Sequence, residues 1–96
     1  MEHKTHEQIL EEIRQAKMKL DIGADYAHYK DPKKTYRVKE FGTLEADNEL
    51  CVIYQAQYGP GLIFIRPLSE WLAKVEWEGN IVPRFVKHSL LIAVKN

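Results

Sequence analysis

The spacing of apolar and polar positions changes once along the chain, from a helical repeat to strand alternation. Residues 5–20 repeat apolar side chains every three or four positions, which is the spacing of one helix face. Thr5 and Gln8 fit a capping box, in which each side chain satisfies an open backbone donor of the other residue. We therefore predict an amphipathic helix within residues 1–24. Its apolar stripe consists of Ile9, Ile13, Ala16 and Leu20.

From Asp25 onward, apolar and polar residues alternate with a period of two, which predicts short β-strands. The strongest strand signal spans residues 50–58, and its first half is apolar on both faces, which favours a central place in the sheet. Pro67 is expected to end the next strand because it has no N–H to donate. Turns are predicted at residues 31–34, 59–61 and 79–80, with one helical turn capped by Ser69.

This pattern predicts a mainly β (α+β) fold of five to six short strands with an N-terminal helix. Two arrangements fit: a small SH3-like barrel, or a strongly bent antiparallel sheet. We favour the barrel because open sheet edges are costly in so short a chain. The β-domain is assigned to residues 25–88, and residues 89–96 form a C-terminal extension that could add an edge strand.

Composition and charge narrow the classes of partner. Fourteen basic and fourteen acidic side chains cancel in the 96 residues, so net charge makes no case for duplex DNA or an anionic membrane. The single cysteine, Cys51, lies in an apolar run and is expected to be buried. No signal pattern opens the chain, and its longest apolar run, residues 90–94, is too short to cross a bilayer. We expect a cytoplasmic protein without a membrane partner.

Aromatic and basic residues recur near the predicted strand ends. Tyrosine combines an apolar ring with a polar tip, which suits the rim of a groove. Arg66 ends an apolar strand, so its half-buried guanidinium needs a carboxylate, carbonyl or aromatic partner. It could form a structural ion pair with Glu49 or Glu70, stacked on an aromatic ring, or bind a carboxylate or phosphate ligand. The candidate ligand-binding residues are Tyr26, His28, Tyr29, Lys30, Tyr54, Arg66, Trp71 and Arg84.

The sequence contains no catalytic constellation. His28 has no nucleophile that can be placed beside it, because Ser69 and Ser89 lack the context of a nucleophile elbow. His3 and His6 lack further ligands at metal-binding spacing. We therefore predict no catalytic residue, no metal and no cofactor.

These observations favour a small non-enzymatic binding or interaction domain for a small anionic ligand or a peptide. The predicted groove brings together five of the candidates, with aromatic rings as its walls and Arg66 as its polar anchor. One alternative is a homo-oligomeric structural or adaptor protein, such as a homodimer through the helix stripe or the C-terminal tail. Less favoured are a nucleic-acid-binding module, for which no RNP-like motif is present, and a small hydrolase that uses His28. The five groove residues are Tyr26, Tyr29, Tyr54, Arg66 and Trp71.

Several of these segments together resemble a bacterial family, domain-of-unknown-function family 1653. The family pattern includes a Y-x-H-Y-K opening, a V-x-Y strand, a W-V-R-P-L segment and a closing V-P-R-F. The corresponding residues here are 26–30, 52–54, 64–68 and 82–85. The resemblance spans about residues 25–86 and implies a small cytoplasmic β-domain with no assigned activity. The family's His-Ser/Thr-Glu segment is replaced here by Leu44-Glu45-Ala46.

Overall fold

The chain forms an N-terminal helix followed by a β-rich domain. A computed structural model describes residues 4–89, and the features below refer to these residues. The predicted mainly β fold with an N-terminal helix is confirmed. The helices are α1 (His6–Lys19) and α2 (Leu68–Trp71), and the strands are β1 (Asp25–His28), β2 (Asp31–Leu44), β3 (Glu49–Ala56), β4 (Ile63–Pro67), β5 (Lys74–Trp77), β6 (Asn80–Pro83) and β7 (Phe85–Lys87).

Five of the strands form one antiparallel sheet in the order β4-β3-β2-β1-β7, and β5 pairs with β6 in a separate hairpin. The central place predicted for β3 is confirmed. Over residues 4–89, no backbone pairing joins β4 to β7, so the sheet is open. Of the two predicted arrangements, the structure shows the antiparallel sheet and no closed barrel.

The strand count exceeds the predicted five to six because Arg84 divides the last predicted strand, residues 81–86, into β6 and β7. The N–H of Arg84 donates to the carbonyl of Ala73 at 3.2 Å, and its own carbonyl accepts from Tyr29 N–H at 3.1 Å. The backbone of Arg84 is therefore hydrogen-bonded on one side to the residue before β5 and on the other side to the residue after β1. As a result, β6 pairs back on β5, whereas β7 crosses to pair with β1.

The first hairpin turns earlier than predicted. The turn predicted at residues 31–34 is wrong, because Tyr29 and Lys30 make the turn and β2 begins at Asp31. The register shifts from Ala27 opposite Thr35 to His28 opposite Asp31, so residues 32–34 bulge out of the ladder. The Asp31 carboxylate accepts the N–H of Lys33 at 3.1 Å, a local bond that competes with strand pairing.

Helix α1 packs its predicted stripe on the sheet of its own chain. The capping box is confirmed: the hydroxyl of Thr5 accepts Gln8 N–H at 3.1 Å, and the amide oxygen of Gln8 accepts Thr5 N–H at 2.8 Å. Ala16 and Leu20 are buried in the main core cluster. Two of the stripe residues, Ala16 and Leu20, are therefore covered within the chain, with Ile13 partly buried beside them, whereas pairing with a second copy stays a prediction. The predicted tail, apart from Ser89, lies outside the described residues.

The core lies between one face of the sheet, α1 and α2. Val38 and Val52 are fully buried, and Trp71 of α2 stacks on Phe85 of β7 with ring centroids 3.7 Å apart and planes 7° apart. The helical turn predicted at Ser69 is present, but its N-cap is residue 67, a proline without a capping side chain. No helix within residues 4–89 has both the length and the apolar character needed to span a membrane.

We predict that Trp71→Ala lowers the free energy of unfolding by about 3–5 kcal/mol, because it empties the centre of the core. That is a large share of the roughly 5–15 kcal/mol typical of a small domain. Urea denaturation measures this loss. Trp77→Ala is the control: Trp77 is 36% exposed, so its loss should cost about 1.5 kcal/mol or less. Equal losses for the two variants would contradict the placement of Trp71.

Candidate functional site

The ring of Phe85 lies close to side chains from each of the other four strands of the five-stranded sheet. Because β7 pairs with β1 at one edge, Phe85 would reach β4 at the opposite edge only if the sheet were strongly curled. It does reach β4, as well as the strands between. The contacts, measured to the ring centroid, are His28 of β1 at 5.3 Å, Tyr36 of β2 at 6.0 Å, Tyr54 of β3 at 5.9 Å and the guanidinium carbon of Arg66 of β4 at 5.7 Å.

This cluster borders a pocket of about 200 Å³. Strand alternation explains two of its walls, because Phe64 and Arg66 are two residues apart on β4 and share a face. The register places Phe64 opposite Tyr54 and Arg66 opposite the buried Val52, so this face is the core side of the sheet. The pocket is lined by His28, Tyr36, Tyr54, Phe64, Arg66 and Phe85.

Arg66 is only partly engaged by the protein. Its Nε donates to the hydroxyl of Tyr54 at 3.2 Å, and its Nη1 lies 3.5 Å from a carboxylate oxygen of Glu70. The ion pair with Glu70, one of the two structural partners considered from the sequence, is present. It is also exposed, since the Glu70 side chain is 58% accessible, and such pairs contribute little stability. Within residues 4–89, neither Nη group forms a hydrogen bond to protein.

His28 presents a neutral ring to the pocket. Its Nδ1 accepts the backbone N–H of Lys30 at 3.2 Å, which leaves Nε2 to hold the ring proton. Burial lowers the pKa of His28 below its usual 6.5, and the positive charges of Arg66, Arg84 and Lys30 lower it further. Near neutral pH the ring therefore acts as a hydrogen-bond donor without a charge of its own.

Tyr36 closes one side of the pocket and stays protonated. Its hydroxyl lies 2.6 Å from the hydroxyl of Tyr58. Burial raises the pKa of Tyr36, and the hydrogen bond with Tyr58 raises it further. Three lining residues were not predicted from the sequence: Tyr36, Phe64 and Phe85. Phe64 could have been found from its two-residue spacing to Arg66, whereas Phe85 depends on the pairing of β7 with β1.

Two predicted groove walls lie in the core behind the pocket. Trp71 is 3% exposed and Tyr26 is 6% exposed, and their rings meet edge to face at 5.5 Å. The Tyr26 hydroxyl accepts the backbone N–H of Asp21 at 2.9 Å. These rings support the pocket from behind but do not face it. Their role as groove walls stays a prediction, because alternation identifies a shared face, whereas burial depends on the element that covers that face.

Three other predicted residues lie beside the pocket and do not line it. Tyr29 contacts the ring of Trp77 on β5 edge to face at 5.3 Å, and the Nζ of Lys30 lies 5.9 Å from the Tyr29 ring. Arg84 donates from Nε to the backbone carbonyl of Glu70 at 3.0 Å. This bond holds the connection between β6 and β7 against α2.

The polar groups that line the pocket are mainly hydrogen-bond donors. The guanidinium of Arg66 and Nε2 of His28 donate, and the hydroxyl of Tyr54 can do so while it accepts from Arg66. No carboxylate, serine or cysteine is among the lining residues. Among residues 4–89, no three histidine, cysteine, aspartate or glutamate side chains are grouped so that they could hold a metal ion. The arrangement suits an anion.

Comparison with known proteins places the chain in a family. The family model described as "Protein of unknown function (DUF1653)" matches residues 24–87. The chain belongs to this family. A crystal structure of a DUF1653 protein from Bordetella bronchiseptica is similar, with 28% identity over 69% of this chain and 87% of that chain, and a TM-score of 0.59. No curated protein matches the chain significantly.

The matched region of this DUF1653 chain begins just before β1 and ends with β7. It contains the whole sheet and every residue that lines the pocket, whereas helix α1 lies outside it. The resemblance identified from short segments over residues 25–86 is therefore confirmed at the level of the family. The family description assigns no activity, so the pocket has to be interpreted from its own chemistry.

We predict that Arg66→Gln raises the pKa of His28, because it removes the positive charge that lowers this pKa most. The shift is measured by following the His28 imidazole signals by NMR against pH. Arg14→Gln on α1 is the control and should leave the His28 pKa unchanged, because Arg14 is fully exposed and paired with Glu11. An unchanged pKa in Arg66→Gln would contradict the geometry of the pocket.

The lowered pKa of His28 also determines how this residue makes folding stability depend on pH. Protonation of His28 is less favourable in the folded than in the unfolded chain. Its contribution is therefore fully present above the unfolded pKa near 6.5 and is lost as the pH falls through the folded pKa.

Proposed function

We propose that this DUF1653 protein is a non-enzymatic binding domain whose pocket holds a carboxylate or a phosphate. The observation that carries the proposal is the state of Arg66. Its guanidinium borders a concave, ring-lined site, and neither Nη group forms a hydrogen bond within residues 4–89. A planar guanidinium with two such groups matches the two oxygens of a carboxylate or phosphate.

The surroundings of Arg66 strengthen this preference. Its side chain is 28% exposed, so a ligand would meet the charge in a partly desolvated setting where electrostatic attraction is stronger than in water. Arg84 and Lys30 add positive potential, as their effect on the pKa of His28 indicates. Local charge therefore favours an anion although the chain as a whole is neutral.

The size of the pocket limits what it can enclose. Its volume of about 200 Å³ is below the roughly 300–1,000 Å³ of sites for drug-sized ligands. It suits a small acid, or one acidic group of a larger ligand whose remainder lies outside. The rings of Tyr36, Phe64 and Phe85 would contact the carbon skeleton next to that group.

Binding is a better interpretation than turnover. Of the lining residues, only His28 could move a proton near neutral pH, and no serine, cysteine or carboxylate lines the pocket with it. Cys51 projects from the opposite face of the sheet, since it alternates with Val52 along β3. A single buried thiol also fits the reducing cytoplasm, which we propose as the location.

We predict that Arg66→Gln weakens binding of succinate or inorganic phosphate about tenfold, because one charge-assisted contact is lost. Glu70→Gln should tighten binding up to about fivefold, since the Glu70 carboxylate competes for the guanidinium in an exposed pair. The contact between Arg84 and Glu70 uses the Glu70 backbone, so it is retained. NMR titration measures the affinities and maps the shifts.

The matched control is the exposed pair of Arg14 with Glu11 on α1. Arg14→Gln and Glu11→Gln make the same charge changes away from the pocket and should leave the affinity unchanged. Wild-type affinity in Arg66→Gln, or shifts centred on α1, would reject the proposed site.

A further inference from the structure

Among residues 4–89, strand β4 pairs with β3 alone, and its other edge has no strand beside it. The N–H of Ala56 donates to the carbonyl of Leu62 at 2.9 Å. Since every second residue of an antiparallel strand bonds to the same neighbour, the backbone groups of Leu62, Phe64 and Arg66 are the ones that face β3. The N–H and C=O groups of Ile63 and Ile65 therefore point away from β3. Within residues 4–89, no hydrogen bond reaches those groups. The edge can therefore accept another strand.

The same edge is apolar and unprotected. Leu62 is 56% exposed, Ile63 60% and Ile65 67%. Exposed edge strands usually contain lysine, proline or a bulge that prevents pairing with other chains. Here the charged Arg66 and Pro67 lie together at the end of the strand, so Leu62, Ile63 and Ile65 have no such protection beside them. An edge of this kind is expected to be covered by a partner.

The two faces of β4 have different chemistry. Phe64 and Arg66 face the pocket, whereas Ile63 and Ile65 face the outer side of the sheet, where Ile65 lies beside Ile53. In a strand added to this edge, alternate residues would face the same two sides. The residue opposite Arg66 would lie at the mouth of the pocket, and the residues one and three positions further along the added strand would meet the exposed Ile65 and Ile63.

We propose that the ligand is an extended peptide that pairs antiparallel with β4 and places a glutamate or aspartate opposite Arg66. Apolar residues lie opposite Ile65 and Ile63, so the peptide reads acid–apolar–any–apolar from its N-terminus. Strand addition supplies backbone hydrogen bonds, and the alternating side chains supply specificity. This inference depends on the proposed function, because the acidic group occupies the same pocket.

Charge favours such a peptide over a second copy of the chain. Residues 62–67 contain no acid, so pairing of β4 with β4 of another copy would place an uncharged residue opposite Arg66 in an antiparallel register centred on the strand. That arrangement would remove water from the guanidinium without supplying a carboxylate, which is unfavourable. An acidic peptide supplies the missing partner.

The test uses the full chain and a fluorescein-labelled peptide, Ser-Glu-Val-Thr-Val-Ser, with affinity measured by fluorescence anisotropy. Its matched control is the reversed peptide, Ser-Val-Thr-Val-Glu-Ser, which has the same composition but places its glutamate opposite Leu62. We expect the reversed peptide to bind about tenfold more weakly. The preference should disappear in Arg66→Gln. Equal binding of the two peptides to the wild-type chain would overturn the proposal.

Ile65→Pro tests the edge separately from the pocket. The N–H of Ile65 points outward, so proline removes a donor for the peptide and leaves the ladder with β3 intact. We expect about tenfold weaker peptide binding and unchanged succinate binding. Should Ile65→Pro fail to fold, a peptide methylated on both valine nitrogens removes the opposing donors and should bind the wild-type chain weakly.

The succinate and peptide measurements distinguish failure of the peptide inference from failure of the proposed function. If the wild-type chain binds succinate but neither peptide, the extended-peptide inference is wrong and the anion pocket stands. If it binds neither succinate nor peptide, the proposed function fails as well. Sedimentation velocity identifies the other occupant: a wild-type dimer that Ile65→Pro dissociates would overturn the peptide proposal in favour of a second copy.

Discussion

The position of Phe85 is the constraint on which the rest of the structure depends. By hydrogen bonding the sheet is open, because its edges are β4 and β7 and no backbone pairing joins them within residues 4–89. By side-chain packing it is nearly closed, because Phe85 on β7 lies against Arg66 on β4. Trp71 stacks on the same ring and fixes it from α2. A curled sheet can thus be stabilised by one ring where backbone closure is absent.

The curl also creates the site. It brings an arginine at one edge of the sheet towards a histidine near the other, and both border one small pocket. The rings behind the pocket are buried, so the cavity has a firm wall, whereas the guanidinium remains partly exposed. The same strand that supplies Arg66 also has no strand on its outer edge within the described part of the chain. Pocket and edge are therefore adjacent because both belong to β4.

Local features of this fold could be predicted from the sequence, and non-local ones could not. The capping box at Thr5, the central strand and the hairpin of β5 and β6 each depend on spacing within a few residues. The bulge after Asp31 depends on a side chain that competes with the ladder, and the break at Arg84 depends on a bond to Ala73. Such competition between local and tertiary bonds leaves no periodic signal.

The candidate site was predicted in part for the same reason. Tyr54 and Arg66 were chosen correctly as neighbours because alternating strands place them on one face, and they share a hydrogen bond of 3.2 Å. Trp71 is also next to Tyr54, with ring centroids 4.9 Å apart, but it is buried. Alternation gives the face of a residue, whereas depth depends on which element covers that face. The central role of Phe85 requires the pairing of β7 with β1, which no short segment encodes.

The central claim is that Phe85 joins the two ends of the sheet, and carbon-13-edited NOE spectroscopy on its ring protons tests this most directly. The structure predicts cross-peaks from Phe85 to the indole of Trp71, to the ring of Tyr54 and to the side chain of Arg66 on β4, which lie 3.7, 5.9 and 5.7 Å from the centroid of its ring. Cross-peaks to strand β1 alone, with none to Tyr54 or Arg66, would mean that the sheet is not curled round this ring and would contradict the account.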